Sequence, residues 1–256
     1  MRAIRVFETP EALGEAVAAD IASRIGRGGR FLLGCPGGRS PKPVYAALAR
    51  MAKFDLSSVV IVMMDDYLTE AAGVLTHVDA KAHYSCRRFA REEIQAVLNA
   101  DRPVARQIPD ANVWLPDPAD PSAYDKRIAA AGGIDYFLLA SGASDGHVAF
   151  NPVGSSADSA TRIVDLAETT RRDNLQTFPE FAGLDSVPRH GVTVGISTIS
   201  AARASAMVVW GAGKRMAFSR LSRASKYDPT WPATVWVTCP DATLFADRAA
   251  AEGAPA

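Results

Sequence analysis

The stretch IDYFLLASGASDGHVAFNPVG, Ile134–Gly154, changes character at a single residue. Ile134 to Ala140 form a nearly unbroken apolar run of strand length, and from Ser141 the chain turns small and polar. A run apolar on both faces predicts a strand covered on both sides, as in a parallel sheet. Similar runs lie outward in both directions: RAIRVF (2–7), FLLG (31–34), SVVIVMM (58–64), GVTVGIS (191–197), ASAMVVW (204–210) and ATVWVTC (233–239). Helical segments alternate with them. Leu13, Val17, Ile21 and Ile25 recur every four residues between Pro10 and Ile25, one face of a helix. Further helices are predicted over 43–52, 92–100, 121–131 and 214–222.

Buried strands alternating with helices predict the α/β class: a single domain with a largely parallel sheet flanked by helices, Rossmann-like. No internal repeat is present, and LPDPADPSAY (115–124) reads as a surface loop, not a boundary. The expected domain is 1–248, followed by a flexible tail, AAAEGAPA, at 249–256. The 256 residues carry 28 Lys plus Arg and 28 Asp plus Glu. Zero formal charge argues against a non-specific nucleic-acid or anionic-membrane partner. Cys35, Cys86 and Cys239 are scattered, which suits a reducing compartment better than a disulfide framework. With no secretory-type N-terminus and no apolar run near ~20 residues, the expected location is cytoplasmic.

In such sheets ligands gather at the carboxyl ends of the strands. Three strand ends here carry chemistry. GCPGGRSPKPVY (34–45) runs from a strand through Gly37 and Gly38 to Arg39, Ser40 and Lys42 and then into a helix. Glycines allow close backbone approach and a helix start offers free N–H groups, so the turn suits a phosphate. It matches neither the nucleotide loop G-x-x-x-x-G-K-[ST] nor G-x-G-x-x-G. In VVIVMMDDYLTE (59–70), Asp65 and Asp66 close a strand; neighbours on a strand point to opposite faces, so one of them faces a cleft. A carboxylate there could serve as a general base, or the pair could merely cap the next turn. Asp145 and His147, with Gly146 between them, can share one tight turn, the acid holding one imidazole nitrogen and freeing the other for proton transfer. No metal-ligand spacing and no G-x-S-x-G elbow is found. The three strand ends together describe proton transfers on a phosphorylated sugar.

With those pieces in view, the chain resembles the glucosamine-6-phosphate deaminase and 6-phosphogluconolactonase superfamily. PGGRSP (36–41), MMDDY (63–67), DGHVAFN (145–151), HGVTVGISTI (190–199) and GAGK (211–214) stand in the family's order and at its intervals, from Gly34 to about Pro240. MDDY and DGHVAFN lean to the deaminase branch, where the motifs read M-D-E-Y and D-G-H-[IV]-A-F-N-E-P. The resemblance implies a fold of the sugar-phosphate isomerase type. It implies that Asp65 moves a proton between C1 and C2 of the opened sugar, and that His147, supported by Asp145, assists ring opening. It implies substrate or phosphate binding by Gly37, Gly38, Arg39, Ser40, Asp66, Gly146, Arg171 and Lys214, with Asn174 in the same T-R-x-x-N segment as Arg171. The implied reaction turns an amino-sugar 6-phosphate into a ketose 6-phosphate plus ammonia, with no cofactor and no metal. The phosphorylated sugar is the expected partner, and self-association into a homo-oligomer is left open.

Two departures stand out. The glutamate that follows the histidine motif in deaminases is Pro152, which removes one acid/base group, a loss worth ~10²–10⁴ in rate. A phosphate-contacting arginine is replaced near Gln176, and Arg39 could supply that charge. The first alternative is a 6-phosphogluconolactonase, which needs the histidine but not the glutamate, although AFNP and MDDY are unlike that branch. The second is a non-catalytic sugar-phosphate sensor, disfavoured by Asp65, by His147 and by the lack of a DNA-binding segment before residue 30. Trp210, Trp231 and Trp236 are expected to pack a C-terminal layer, and Cys35 to be a small turn residue. HVDAKAHYS (77–85) reads equally as a lid or a surface loop, with His77 and His83 as weaker candidates.

Overall fold

The strand that ends at Ala140 lies at the centre of the sheet, with strands on either side. The computed structural model describes residues 2–25, 28–51 and 53–252. The chain runs β1 (Arg2–Phe7), α1 (Pro10–Ile25), β2 (Phe31–Cys35), α2 (Lys42–Arg50), β3 (Val59–Met63), β4 (Asp65–Ala71) and β5 (Val74–His77). Next come α3 (Cys86–Arg88), a π-helical stretch (Phe89–Gln95), α4 (Ala96–Asn99), β6 (Val113–Trp114), α5 (Pro121–Ala130) and β7 (Tyr136–Ala140). The remainder is β8 (Arg162–Asp165), α6 (Glu168–Thr177), β9 (His190–Thr193), α7 (Ile196–Ser200), β10 (Ala204–Val209), α8 (Arg215–Ser222), β11 (Asp241–Asp247) and α9 (Arg248–Ala251).

The main sheet has the order β1-β11-β10-β7-β2-β3-β6, and every neighbouring pair is parallel. Side chains alternate across it as a strand requires. Leu33, Ile61 and Leu138 join the apolar cluster on one face with α1 and α2, while Leu32, Val62 and Leu139 join the cluster on the other with α5, α7 and α8. The α/β class, the single domain and the largely parallel, helix-flanked sheet expected from the sequence are all present. No helix among the described residues is long and apolar enough to cross a membrane.

A second sheet, antiparallel in the order β5-β4-β9-β8, was not anticipated. Its strands are short and rich in polar residues, as in DDYLTEA and RIVD, and carry no buried-strand signature. The run 191–197, expected as one strand, is divided: His190–Thr193 joins this second sheet, and α7 begins at Ile196. Residues 233–239, also expected as a strand, lie almost wholly in a 3-10 helix, Pro232–Thr238. Periodicity cannot separate a short buried strand from a short buried helix, and Pro232 at its start favours the turn. The strand beside β10 is instead β11, five of whose seven residues are buried. At the C-terminus α9 carries Ala249–Ala251 with Ala250 buried, Glu252 caps it, and the last residues of the expected tail, 253–256, lie outside the described residues.

Two features of this architecture position the site. From β2 the chain proceeds outward through β3, whereas from β7 it proceeds through β10 on the other side, so the β2/β7 border is a topological switch point where a crevice opens. Met64 then joins the two sheets: its N–H donates to the Cys35 carbonyl (3.3 Å), and its carbonyl accepts from Val194 N–H (2.8 Å). Asp65 is the first residue beyond that joint.

Candidate active site

A cavity of about 370 Å³ opens at the carboxyl ends of β2, β3, β7 and β10. That volume lies within the range that takes a small ligand. One wall is the turn after β2, where Gly37, Gly38, Arg39 and Ser40 all line the cavity. The turn is braced from behind: the Tyr45 hydroxyl donates to the Pro36 carbonyl (2.9 Å), and the Trp210 indole N–H donates to the Ser40 carbonyl (2.9 Å). Trp210 therefore belongs to the site, whereas Trp231 and Trp236 are buried in the core as expected. Lys42, counted with the turn in the sequence, pairs instead with Glu93 at 2.8 Å. Cys35 is the last residue of β2, fully buried, its thiol pushed up to about 12 by burial, with Tyr45 opposing.

The paired aspartates divide as the strand pleat demands. Asp65 lines the cavity at only 6% exposure. Burial pushes its carboxyl up to about 7, against a hydrogen bond from the Cys86 thiol; the neighbouring Asp66 charge adds to the rise and His147 opposes it. Asp66 turns the other way and does not line the cavity. Its Oδ1 accepts from the backbone N–H of Tyr67 (3.0 Å) and Cys86 (2.9 Å), and its Oδ2 meets His77 Nδ1 (2.8 Å) and the Arg87 guanidinium (3.4 Å). A fully buried carboxylate with four partners of its own is a structural clamp, which corrects the expectation that Asp66 binds substrate.

On the facing side, Asp145 and His147 form the expected pair. His147 Nδ1 lies 2.7 Å from Asp145 Oδ1, and His147 N–H donates to the same oxygen at 3.1 Å. The Thr169 hydroxyl donates to Asp145 Oδ2, and Thr170 Oγ1 stands 3.3 Å from His147 Nδ1. Burial alone would raise the Asp145 carboxyl; the His147 hydrogen bond and charge, with Thr169, outweigh it and hold it well below the usual carboxylate range. His147 lines the cavity and Asp145 stands behind it, so the acid positions the imidazole and leaves Nε2 for the ligand.

Two glycines make the pair possible. A methyl at Gly142 would come within 2.3 Å of His147 Nδ1 and 2.4 Å of Asp145 Oδ1. Gly146 has φ +66°, and a methyl there would strike the Trp231 ring at 2.3 Å. Gly146 thus shapes the turn and does not itself line the cavity, contrary to its expected binding role. Just beyond, Ala149 also takes a left-handed φ of +51° in the turn closed by Asn151 N–H to the Val148 carbonyl (2.9 Å).

Lys214 reaches in from the loop after β10, its Nζ donating to the Ser141 carbonyl at 2.5 Å. Burial lowers its pKa, while Asp173 pulls the other way, Arg39 adds to the fall and Asp145 opposes it. Asp173 and Asn174 of α6 line the same wall, and the sequence reading did not single out Asp173. Arg171, expected at the phosphate, points out of the cavity: its guanidinium donates to the carbonyls of Leu184 and Val187 (3.1 Å to the latter), fastening α6 to the next loop. Pro152 also lies off the cavity, its carbonyl accepting from Ser155. In 77–85, Tyr84 reaches the cavity, His77 holds Asp66, and His83 packs on Tyr84 and Phe181. Asp145, His147 and Asp173 bring one ligand-type atom each within 4.8 Å of one another, but Asp145 already occupies His147 Nδ1, and the charges of Lys214 and Arg39 disfavour a cation.

The glucosamine-6-phosphate deaminase of Streptomyces avermitilis is 36% identical over 241 residues, spanning 93% of this chain and 87% of the relative. That of Shouchella clausii is 31% identical over 250 residues, spanning 94% and 93%. A solved structure described as a monomeric glucosamine-6-phosphate deaminase shares the fold with a TM-score of 0.83 at 24% identity, covering 97% of this chain and 98% of its own. The 6-phosphogluconolactonase of Trypanosoma brucei shares it at 0.67 and 22% identity, covering 100% and 99%. Residues 7–244 match the family described as "Glucosamine-6-phosphate isomerases/6-phosphogluconolactonase", and the chain belongs to that enzyme family.

Proposed function

We propose that this chain is a glucosamine-6-phosphate deaminase, converting the amino-sugar phosphate to a ketose 6-phosphate with release of ammonia. The observation that carries the reading is Asp65: a buried carboxyl on the cavity wall, pushed up to about 7, can take and return a proton near neutral pH. The phosphate would sit on the turn Gly37–Ser40, with Lys214 as its cation and Arg39 at the mouth. His147 Nε2 would deliver a proton to the ring oxygen as the ring opens, its other nitrogen held by Asp145. Asp65 would then remove the C2 proton and return it to C1. The resulting C2 imine takes up water and expels ammonia. Each step moves only protons and water, so the reading calls on no cofactor.

A lactonase reading has one observation in its favour. The Asp145–His147 pair is complete without any group from Pro152, and it would suffice to activate a water against a lactone carbonyl. One experiment separates the two. Ammonia and ketose phosphate appearing together from glucosamine 6-phosphate, and lost in Asp65→Asn, establish the deaminase. Hydrolysis of 6-phosphogluconolactone that survives Asp65→Asn but not His147→Ala, with no ammonia from the amino sugar, overturns it.

A further inference from the structure

Asp65 meets a polar group that neither charge nor spacing marks in the sequence. Cys86, the first residue of α3, lines the cavity at 6% exposure with its Sγ 3.4 Å from Asp65 Oδ1. Its placement is fixed from two sides. The Cys86 backbone N–H is held by Asp66 Oδ1 at 2.9 Å, and the Ser85 hydroxyl caps the same turn by accepting from Arg88 N–H at 3.3 Å. The strand pleat sends Asp66 to the backbone of residue 86 and Asp65 to its side chain, so two consecutive carboxylates grip one residue. Burial first, and then the charges of Asp65 and Asp66, raise the Cys86 thiol well above its ordinary range. It therefore remains S–H, a donor to the carboxylate and a poor nucleophile.

We propose that Cys86 is a positioning residue for Asp65: its thiol, aimed by the Asp66 clamp, donates a hydrogen bond to Oδ1 that holds the carboxylate toward the cavity and favours its ionised form. The inference rests on Asp65 being the base of the proposed function. The groups facing Asp65 are Asp66 and Tyr67 on its own strand, Cys86 on α3, His147 from the loop after β7, Tyr45 on α2 and Tyr124 on α5. The tyrosines are all raised well above their ordinary range and stay neutral, and of the other two Asp66 raises the Asp65 carboxyl while His147 lowers it. Among the buried neutral groups, the thiol is the one that opposes the rise caused by burial.

The test is the pH dependence of kcat/KM for ammonia release from glucosamine 6-phosphate by wild type, Cys86→Ala and Cys86→Ser. Losing a weak donor moves the midpoint of the acid limb up by about half a pH unit, a roughly threefold fall in the ionised share at fixed acidic pH. Serine, a better donor, keeps the midpoint at or below the wild-type position. Superposable limbs in all three proteins, or a serine variant that behaves like alanine, overturn the proposal. The S–H stretch, recorded on wild type and assigned by its loss in Cys86→Ser, reads the contact without turnover. It should move to lower frequency as the pH rises through about 7, and this response should vanish in Asp65→Asn. A band indifferent to pH in the wild type refutes the contact. Because this readout needs no activity, a wild type that makes no ammonia would sink the deaminase reading while leaving the Cys86 contact decided on its own terms, even if Cys86→Ala fails to fold.

Discussion

Replacing Gly142 by alanine wedges a methyl group into the Asp145–His147 pair. The added carbon would lie 2.3 Å from His147 Nδ1 and 2.4 Å from Asp145 Oδ1, where ordinary contact begins at 3.4 Å. The ring and the carboxylate must each yield by about 1 Å, enough to break a hydrogen bond now 2.7 Å long. A misplacement of that size at a reacting group costs about 10²-fold in rate, and full loss of acid/base assistance ~10²–10⁴. Gly142 has no left-handed backbone to lose, so the stability cost is that of overpacking, about 1–3 kcal/mol, or a melting temperature lower by roughly 2–10 °C. The expected result is a folded protein with kcat down at least a hundredfold and KM for glucosamine 6-phosphate little changed. Steady-state ammonia release and thermal melts measure both, with Gly183→Ala as control because a methyl there meets nothing within 4 Å. A Gly142→Ala enzyme within fivefold of wild-type kcat would refute the argument that the Asp145-held imidazole carries the chemistry.

Further outcomes follow from the same geometry. Asp65 binds its proton more tightly folded than unfolded, so its ionisation subtracts stability as pH rises from about 4 through about 7; Asp65→Asn should be more stable than wild type at pH 8, by on the order of a few kcal/mol, and so melt higher, with little gain at pH 4 and no ammonia release at either. A difference in melting temperature that is flat with pH contradicts this. Lys214→Ala should raise KM about 10–100-fold, the worth of one hydrogen bond to a charged group, with a smaller effect on kcat; an unchanged KM places the phosphate elsewhere. Ala149→Gly should relieve a left-handed alanine, raising the melting temperature by about 2–4 °C, and a fall would show the turn to be unstrained. Asp173→Asn removes the main charge that keeps Lys214 protonated, so substrate affinity should decline at lower alkaline pH than in wild type, as KM against pH would report.

The central sheet can be read from the sequence because its inner strands are apolar on both faces, as a sheet covered by helices on both sides requires. Their carboxyl ends then mark where to look, and Gly37–Ser40, Asp65, His147 and Lys214 do meet around one cavity. The second sheet escapes the same reading because RIVD and DDYLTEA each owe their pairing to β9, which lies between them, not to their own pattern. Which of Asp65 and Asp66 faces the cleft depends on the joint at Met64, a backbone feature with no sequence signature. Arg171 and Lys42 show the converse: a basic side chain in the right segment finds a nearer partner. Cys86 and Asp173 are silent in the sequence because each acquires its meaning from a residue 21 or more positions away.

The Met64 joint also divides the cleft mechanically. The turn Gly37–Ser40, His147 and Lys214 are mounted on loops of the large sheet, whereas Asp65 opens β4 and Asp173 rides on α6, which follows β8 in the small one. The two walls of the site thus come from different sheets, joined at Met64 and again where the Phe150 N–H donates to Thr193 Oγ1 (3.1 Å). A substitution on β5 or β8 that shifts the small sheet would therefore change the spacing between Asp65 and the turn Gly37–Ser40 without touching either.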